Sequence, residues 1–200
     1  MEESSDLKKR VRRIVRGLRK LYPDVRLALD FETPLDLLIS LILAAQCTDA
    51  RVNQVMGGLR LKYKSAQDWA GLDREVLEEE IRSTGFFRNK AKAVQACTWA
   101  LVERFDGEVP ESLDDLVSLP GVGRKTANLL RGNAFNQPAI GVDTHVGRLA
   151  RRLGLSGEEN TDKVEADLTA LVSKRDQVQF CQLIQLHGRE VCKSRKPLCD

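Results

Sequence analysis

Leu119-Pro120-Gly121-Val122-Gly123-Arg124-Lys125-Thr126-Ala127-Asn128 is the stretch on which the reading of this chain turns, and Asp143 follows it in Val142-Asp143-Thr144-His145. A turn closed by two glycines that runs straight into a helix presents several backbone N–H groups together, and such a set of donors favours an anion such as a phosphate. Lys125 falls in the first turn of that helix. An amine that sheds its proton can attack a sugar carbon and form a Schiff base. Taken alone, a Gly-Val-Gly turn also suits an ordinary helix start, and a lysine beside it a plain phosphate contact.

Outward from this stretch, the apolar residues recur at helical rather than alternating spacing, aromatic content is only 5% and hydrophobic content 42%. An all-α protein with a core of Leu, Val, Ile and Ala follows, of roughly ten helices. Two hundred residues suffice for one large domain or two small ones. The net charge of +3 is compatible with nucleic acid but equally with simple solubility. No apolar run is long enough to span a bilayer, and an acidic, polar start before a basic helix is not a secretory signal. Five cysteines, an odd number at scattered positions, suit a reducing compartment without disulfides. The expectation is an intracellular, cytoplasmic monomer, nucleoid-associated if the source is bacterial.

In chain order, Asp6 is placed to cap a helix from Leu7 to Leu21, with Val11, Ile14, Val15, Leu18 and Leu21 on one stripe and its cations largely opposite. Thr33-Pro34 starts a nearly all-apolar helix, expected at the centre of its domain, which ends at Gln46. Asp49 is read as the cap of the next helix, through Tyr63. Short helices follow at Ala66–Ala70 and, capped by Asp73, Arg74–Ser83; a longer one runs from Arg88 to about Phe105. Phe86 and Phe87 are read at an exposed loop, with a core role open for one of them. Beside them Arg88, Lys90 and Lys92 suit phosphate contacts or a solvated face. Ser112 caps the first arm of a hairpin through Val117, and Gly123 to Phe135 makes the second. Asn136-Gln137-Pro138 is the domain boundary. Asp143 is read first as the cap of its helix; further helices span Asp162–Lys174 and Gln177–Glu190. His145 and His187 read as structural histidines.

LPGVGRKTAN, the downstream VDTH and the earlier Ala44-Ala45-Gln46-Cys47-Thr48-Asp49 together resemble the endonuclease III family of DNA base-excision glycosylases, in the helix-hairpin-helix superfamily. The resemblance covers nearly the whole chain. It implies a two-domain helical fold: a six-helix barrel over residues 25–136 containing the hairpin, and a second domain built from 1–24 and 137–200. It implies a glycosylase coupled to an abasic-site lyase, acting on oxidised or ring-saturated pyrimidines in duplex DNA. Lys125 is then the nucleophile and Asp143 its acidic partner, in a groove between the domains. Gln46 enters the gap left by the extruded base, and Phe86 is the preferred side chain to intercalate opposite it. Gly121, Gly123 and Arg124 hold phosphate, as do Lys193, Arg195 and Lys196. The competing readings are a mismatch or alkylated-base glycosylase of the same superfamily, and a non-catalytic helix-hairpin-helix DNA-binding module.

Members of this family usually end in four cysteines, spaced C-x6-C-x2-C-x5-C, that hold a [4Fe-4S] cluster. Cys192 and Cys199 supply the first interval, and the sequence stops at Asp200. The preferred explanation is a chain shortened from its natural length, ahead of a cluster-less relative or of a different metal with outside ligands. If the cluster is lost, the loop carrying Lys193, Arg195 and Lys196 is expected to be poorly ordered. Cys47, Cys97 and Cys181 do not match the motif and are expected to be free and buried.

Overall fold

The computed structural model describes residues 4–198, and among them the only regular structure is helix, as the apolar spacing predicts. The α-helices are α1 (Ser4–Leu21), α2 (Pro34–Leu43), α3 (Asp49–Lys62), α4 (Ala66–Ala70), α5 (Arg74–Glu80), α6 (Phe87–Phe105), α7 (Leu113–Val117), α8 (Arg124–Ala134), α9 (Thr144–Arg152), α10 (Thr161–Leu171) and α11 (Gln177–Glu190). Two 3-10 turns, Arg82–Thr84 and Lys174–Asp176, complete them. The chain divides into two compact units: Ala28–Phe135, and Met1–Leu27 with Asn136–Asp200.

In the Ala28–Phe135 unit, α2 is the central element. Its start is fixed reciprocally: Asp36 N donates to Thr33 Oγ1 at 3.1 Å while Thr33 N donates to Asp36 Oδ2 at 3.0 Å. Pro34 at the first helical position has no donor to lose. Leu37, Leu38, Ile39 and Leu43 are fully enclosed, so the helix is apolar all round rather than striped. Burial of each contributes roughly 1.5–3 kcal/mol. Around α2 pack α3, α6 and α8; α4 and α5 lie against α6, and α7 against α8.

The second unit has its own core, in which Val11, Val15 and Leu18 of α1 meet Val146, Leu149 and Ala150 of α9, Leu168 of α10, and Phe180, Leu183 and Ile184 of α11. Close approach of α9 and α11 depends on Gly188, where a Cβ would lie 3.1 Å from the Cβ of His145.

Several local expectations are corrected. Helix α1 starts at Ser4, and Asp6 sits in its first turn, bonded to Lys9 at 2.9 Å. Leu21 is 65% exposed, because the apolar stripe turns away from the core at the last turn. Thr48 caps α3 in place of Asp49: its hydroxyl accepts from Arg51 N at 3.3 Å. The helix expected to reach Ser83 stops at Glu80, because the Thr84 hydroxyl takes the Ile81 carbonyl at 2.8 Å and tightens the chain into a 3-10 turn. Helix α10 ends at Leu171, short of Lys174, where Val172 turns extended and stays buried.

Candidate functional site

The hairpin is built from α7, the turn Ser118–Gly123 and α8. Leu119 and Val122 anchor the turn inward, and Val122 N donates to Leu119 O at 3.1 Å. Gly121 has φ +78°, which a side chain rarely adopts, and a Cβ there would come within 3.2 Å of the Cβ of Ala93 on α6. Glycine is thus required twice over, by conformation and by space. At Gly123 no side chain caps α8, and Gly121, Gly123, Arg124 and Lys125 at this helix start are exposed. An anion at this helix start would meet backbone donors and the positive end of the helix dipole.

Helix α6 ties this turn to two others. Ala93 underlies Gly121, and Phe86 caps the N-terminus of the same helix, about 10 Å away along its axis. Phe86 is 62% exposed with φ +49°, and Gln46, beyond the C-terminus of α2, is exposed with φ +53°. Both are non-glycine residues in the left-handed region, which costs of order 1–3 kcal/mol each and is sustained only by the surrounding packing. Phe87 is half-buried, with the guanidiniums of Arg82 and Arg88 at 5.9 and 5.2 Å from its ring. The loop reading therefore holds for Phe86, while Phe87 lies half-buried under two guanidiniums rather than in the core.

Lys90 is a correction. Expected among the surface cations, it is 4% exposed, and its Nζ donates to the Thr84 carbonyl at 2.7 Å. The 3-10 turn before Phe86 opens that carbonyl toward the helix, and the lysine stem follows it inward. Burial pushes its pKa down, and the neighbouring Cys47 thiol works the other way. Arg88 and Lys92 are exposed, as a phosphate contact requires.

In the other unit, Asp143 caps α9: its Oδ1 accepts from Val146 N at 2.7 Å. Its Oδ2 accepts from Gln185 Nε2 on α11 at 2.8 Å. The carboxylate is half-buried and held at both oxygens. Gln185 escapes sequence reasoning, for no local pattern marks a partner 42 residues away.

Helix α9 also carries the arginines that hold the C-terminal loop. Arg148 Nη2 donates to the carbonyls of Gly188 and Cys192, each at 2.9 Å. Arg152 donates to Lys193 O at 2.8 Å, to Ser194 O at 3.0 Å and to Cys192 Sγ at 3.2 Å. Leu198 N closes the loop on Val191 O at 2.9 Å. These bonds anchor the loop whose disorder is the expected consequence of a lost cluster, and they leave Lys193, Arg195 and Lys196 exposed. His145 Nδ1 lies 3.2 Å from Arg148 Nη2, and His187 Nδ1 lies 3.1 Å from the Tyr22 hydroxyl. Each histidine thus has a polar side-chain partner within its own unit.

Cys97 and Cys181 are free and buried, whereas Cys47 is half-exposed rather than buried, because it sits on the turn after α2. Cys192 is buried and Cys199 lies outside the described residues. Among the described residues, no three His, Cys, Asp or Glu side chains are grouped to hold a metal ion, so these residues alone do not make the four-thiolate set of an iron–sulfur cluster. No described helix is long and apolar enough to cross a membrane.

Residues 39–174 match the HhH-GPD superfamily of base excision DNA repair proteins. The chain is 47% identical to endonuclease III of Synechocystis sp. over 200 residues, covering 100% of this chain and 91% of that protein. It is 41% identical to endonuclease III of Bacillus subtilis over 180 residues, or 90% of this chain and 82% of that one. Its structure is similar to that of a trapped endonuclease III–DNA covalent intermediate, with a TM-score of 0.90 and 40% identity over 96% of this chain and 91% of that chain. A thermostable thymine-DNA glycosylase matches at a TM-score of 0.83 and 20% identity over 96% and 91% of the two chains, a likeness of fold alone.

Proposed function

Because the chain belongs to the endonuclease III family, within the HhH-GPD superfamily of base excision DNA repair proteins, we propose that it excises damaged bases from duplex DNA and then cuts the strand at the abasic site. It is a DNA glycosylase and abasic-site lyase of base-excision repair. The observation that carries this reading is Lys125, exposed in the first turn of an uncapped helix, in a chain 40% identical to a relative caught covalently on DNA.

In the proposed mechanism, the N–H groups at Gly121 and Gly123 and the Arg124 guanidinium take the phosphates flanking the lesion. The damaged nucleotide leaves the stack, Gln46 fills the vacancy, and Phe86 enters from the other side. The exposure of both side chains on strained turns supports this role. Lys125 Nζ attacks C1′ as the C1′–base bond breaks, the base leaving with the bonding pair. The amine then loses a proton and the C1′–O4′ bond breaks, O4′ leaving with the bonding pair and taking up a proton, so that the sugar ring opens to the imine, which acidifies the C2′ proton. Its removal expels the 3′ phosphate by β-elimination, and water then hydrolyses the imine and frees the lysine. Asp143 stabilises the positive charge that develops on the sugar and takes part in the proton transfers. Its two donors support this by holding one carboxylate orientation. Lys193, Arg195 and Lys196 are assigned to phosphates of the same duplex.

The preferred substrates on this reading are oxidised or ring-saturated pyrimidines, and the working form is a monomer in the cytoplasm. The family generally carries a [4Fe-4S] cluster; Cys192 and Cys199 are the thiols assigned to one here, with two further thiolates required. Iron content and visible absorption check that assignment.

Borohydride reduction tests the central step. Incubation with an abasic-site duplex should leave a covalent protein–DNA adduct, and Lys125→Ala should abolish it with a loss of strand cutting of about a thousandfold or more. An undiminished adduct in the alanine variant would move the nucleophile elsewhere. A panel of lesion-bearing duplexes measures the base preference.

A further inference from the structure

Positive charge on this chain is concentrated in α1. Between Ser4 and Leu21 that helix holds eight Lys and Arg against one carboxylate, Asp6, whereas the whole chain is only +3, so the remainder is net negative. Lys8, Arg12, Arg16 and Lys20 stand at every fourth residue and all are exposed, which makes a column with one cation about every 6 Å of helix axis. Like charges four residues apart repel and weaken a helix, so the fold gains nothing from this spacing.

Helix α1 packs on α10 and α11, and beside the turn that joins those two runs a groove. It consists of two adjoining cavities of about 380 and 490 Å³ that share Arg12, Val15, Arg175 and Asp176. Buried Val11, Val15 and Val172 line it together with the cation column and exposed Arg175. The carboxylate in its lining, Asp176, is already taken: Oδ1 accepts from Arg19 Nη2 at 2.6 Å and Oδ2 from the Ser173 hydroxyl. The Ser173 bond first, and Arg19 with it, hold that carboxyl below the ordinary range against the opposing effect of burial. Arg19 is also tied through Nε to Gln179 Oε1 at 2.7 Å. Arg175 Nε lies 3.8 Å from Asp176, on a side chain that stays in solvent. Among the described residues, Lys8, Arg12, Arg16 and Lys20 have no carboxylate partner.

We propose that this groove is a second nucleic-acid site, taking the backbone phosphates of a DNA segment other than the one held for reaction. The column runs about 18 Å from Lys8 to Lys20 and suits a stiff polyanion with evenly spaced charges, as a duplex strand is. A flexible acidic segment of protein has no such period. The groove opens at Asp176, which precedes α11, whereas the loop with Lys193, Arg195 and Lys196 follows the other end of that helix, roughly 20 Å along its axis. Two segments held at opposite ends of α11 let the enzyme pass from one to the next without leaving DNA. The inference rests on the reading that a first duplex is bound for base excision.

Stopped-flow release of the full chain from a fluorescent duplex tests this. The duplex carries a tetrahydrofuran abasic analogue, which has no leaving group at C1′ and stays uncut, and undamaged duplex is the competitor. Direct transfer makes the release rate climb with competitor concentration. Arg12→Gln with Arg16→Gln should flatten that climb about fivefold or more and lower its dependence on log salt concentration by about two, at roughly 0.9 per phosphate contact. Glutamine forms helix nearly as well as arginine and both positions are exposed, so α1 is kept. Arg175→Gln, off the helix, should act in the same direction. Lys9→Gln with Arg13→Gln removes equal charge from α1 outside the groove and should leave the climb within about twofold. A wild-type release rate independent of competitor, or equal losses in the two double variants, would overturn the proposal. So would a loss of affinity for the first duplex as large as the loss of transfer, which would put the groove on that same duplex. A climb driven by polyglutamate as strongly as by DNA would give the groove to an acidic protein segment instead. If no complex with the abasic analogue forms, the glycosylase reading fails on its own account. The groove is then judged by undamaged-duplex binding, where the two double variants should still differ in salt slope by about two, and equal slopes would overturn it.

Discussion

Replacing Gln185 by methionine removes the donor from Asp143 Oδ2 and keeps nearly the same length and volume. The bond lost is 2.8 Å long; the other, from Val146 N to Oδ1 at 2.7 Å, remains, so α9 stays capped. Because both side chains are half-buried, water can take the vacated oxygen, and the cost in stability is about 1 kcal/mol. On a chain of 200 residues this lowers Tm by roughly 2–4 °C. The catalytic effect should be larger. A carboxylate held at one oxygen rotates about its last torsion, and a misplacement near 1 Å costs up to about a hundredfold, so strand cleavage should fall by about ten- to a hundredfold. The assay is single-turnover cleavage of an abasic-site duplex, with melting of the same preparations. If Gln185 acts through Asp143, then in an Asp143→Ala background the methionine substitution should cost no more than about twofold. Cleavage at the wild-type rate in folded Gln185→Met, or an equal loss with and without Asp143, would refute the reasoning.

Other expectations follow from single contacts. Gly121→Ala meets both φ +78° and the Ala93 Cβ at 3.2 Å, so it should destabilise the protein by about 1–3 kcal/mol, read as a lower melting temperature with weakened duplex binding. Unchanged melting would show that the turn can relax against α6. Burial holds the His187 pKa below its ordinary 6.5, with Glu190 opposing. Between that folded value and 6.5 the unfolded chain binds more protons, so stability should be complete above 6.5 and decline as pH falls through the window. The decline in Tm should shrink in His187→Gln. The Cys97 and Cys181 thiols are pushed up to about 12 by burial, so alkylation of the native protein near pH 8 should label half-exposed Cys47 and spare those two, as read by mass spectrometry before and after denaturation.

What is legible in the sequence is local. Helix starts at Thr33-Pro34, Ser65 and Ser112 rest on a side chain reaching a backbone group within three residues, and their signals are contained in that span. The hairpin turn is legible in part: the positive φ at Gly121 and the inward Leu119 and Val122 are local, whereas the close approach of Ala93 from α6 is not. Sequence and structure part where two neighbouring residues suit the same position, as Thr48 and Asp49 both suit a helix cap and only the backbone angle at Thr48 decides between them. They part again at Cys47, because an apolar helix ending beside it does not reveal which way the next turn faces.

The residues that position the candidate site are of another kind. Gln185 on Asp143, Arg148 and Arg152 on the C-terminal loop, and Lys90 on Thr84 each join a long flexible side chain to a carboxylate or carbonyl whose direction is set by packing. A lysine or arginine on a helix reads as solvated because most are, and only the unpaired carbonyl at the end of its reach makes burial tolerable. Lys90 is a case in point: from α6 it reaches the Thr84 carbonyl, at the end of the 3-10 turn Arg82–Thr84, and is buried there. The direction of that carbonyl is set by the tightening of the chain at Arg82–Thr84, which the pattern of α6 alone does not reveal. By the same reasoning, substitutions at Lys90 should alter Phe86 exposure before they alter the stability of α6, which loses none of its own backbone bonds.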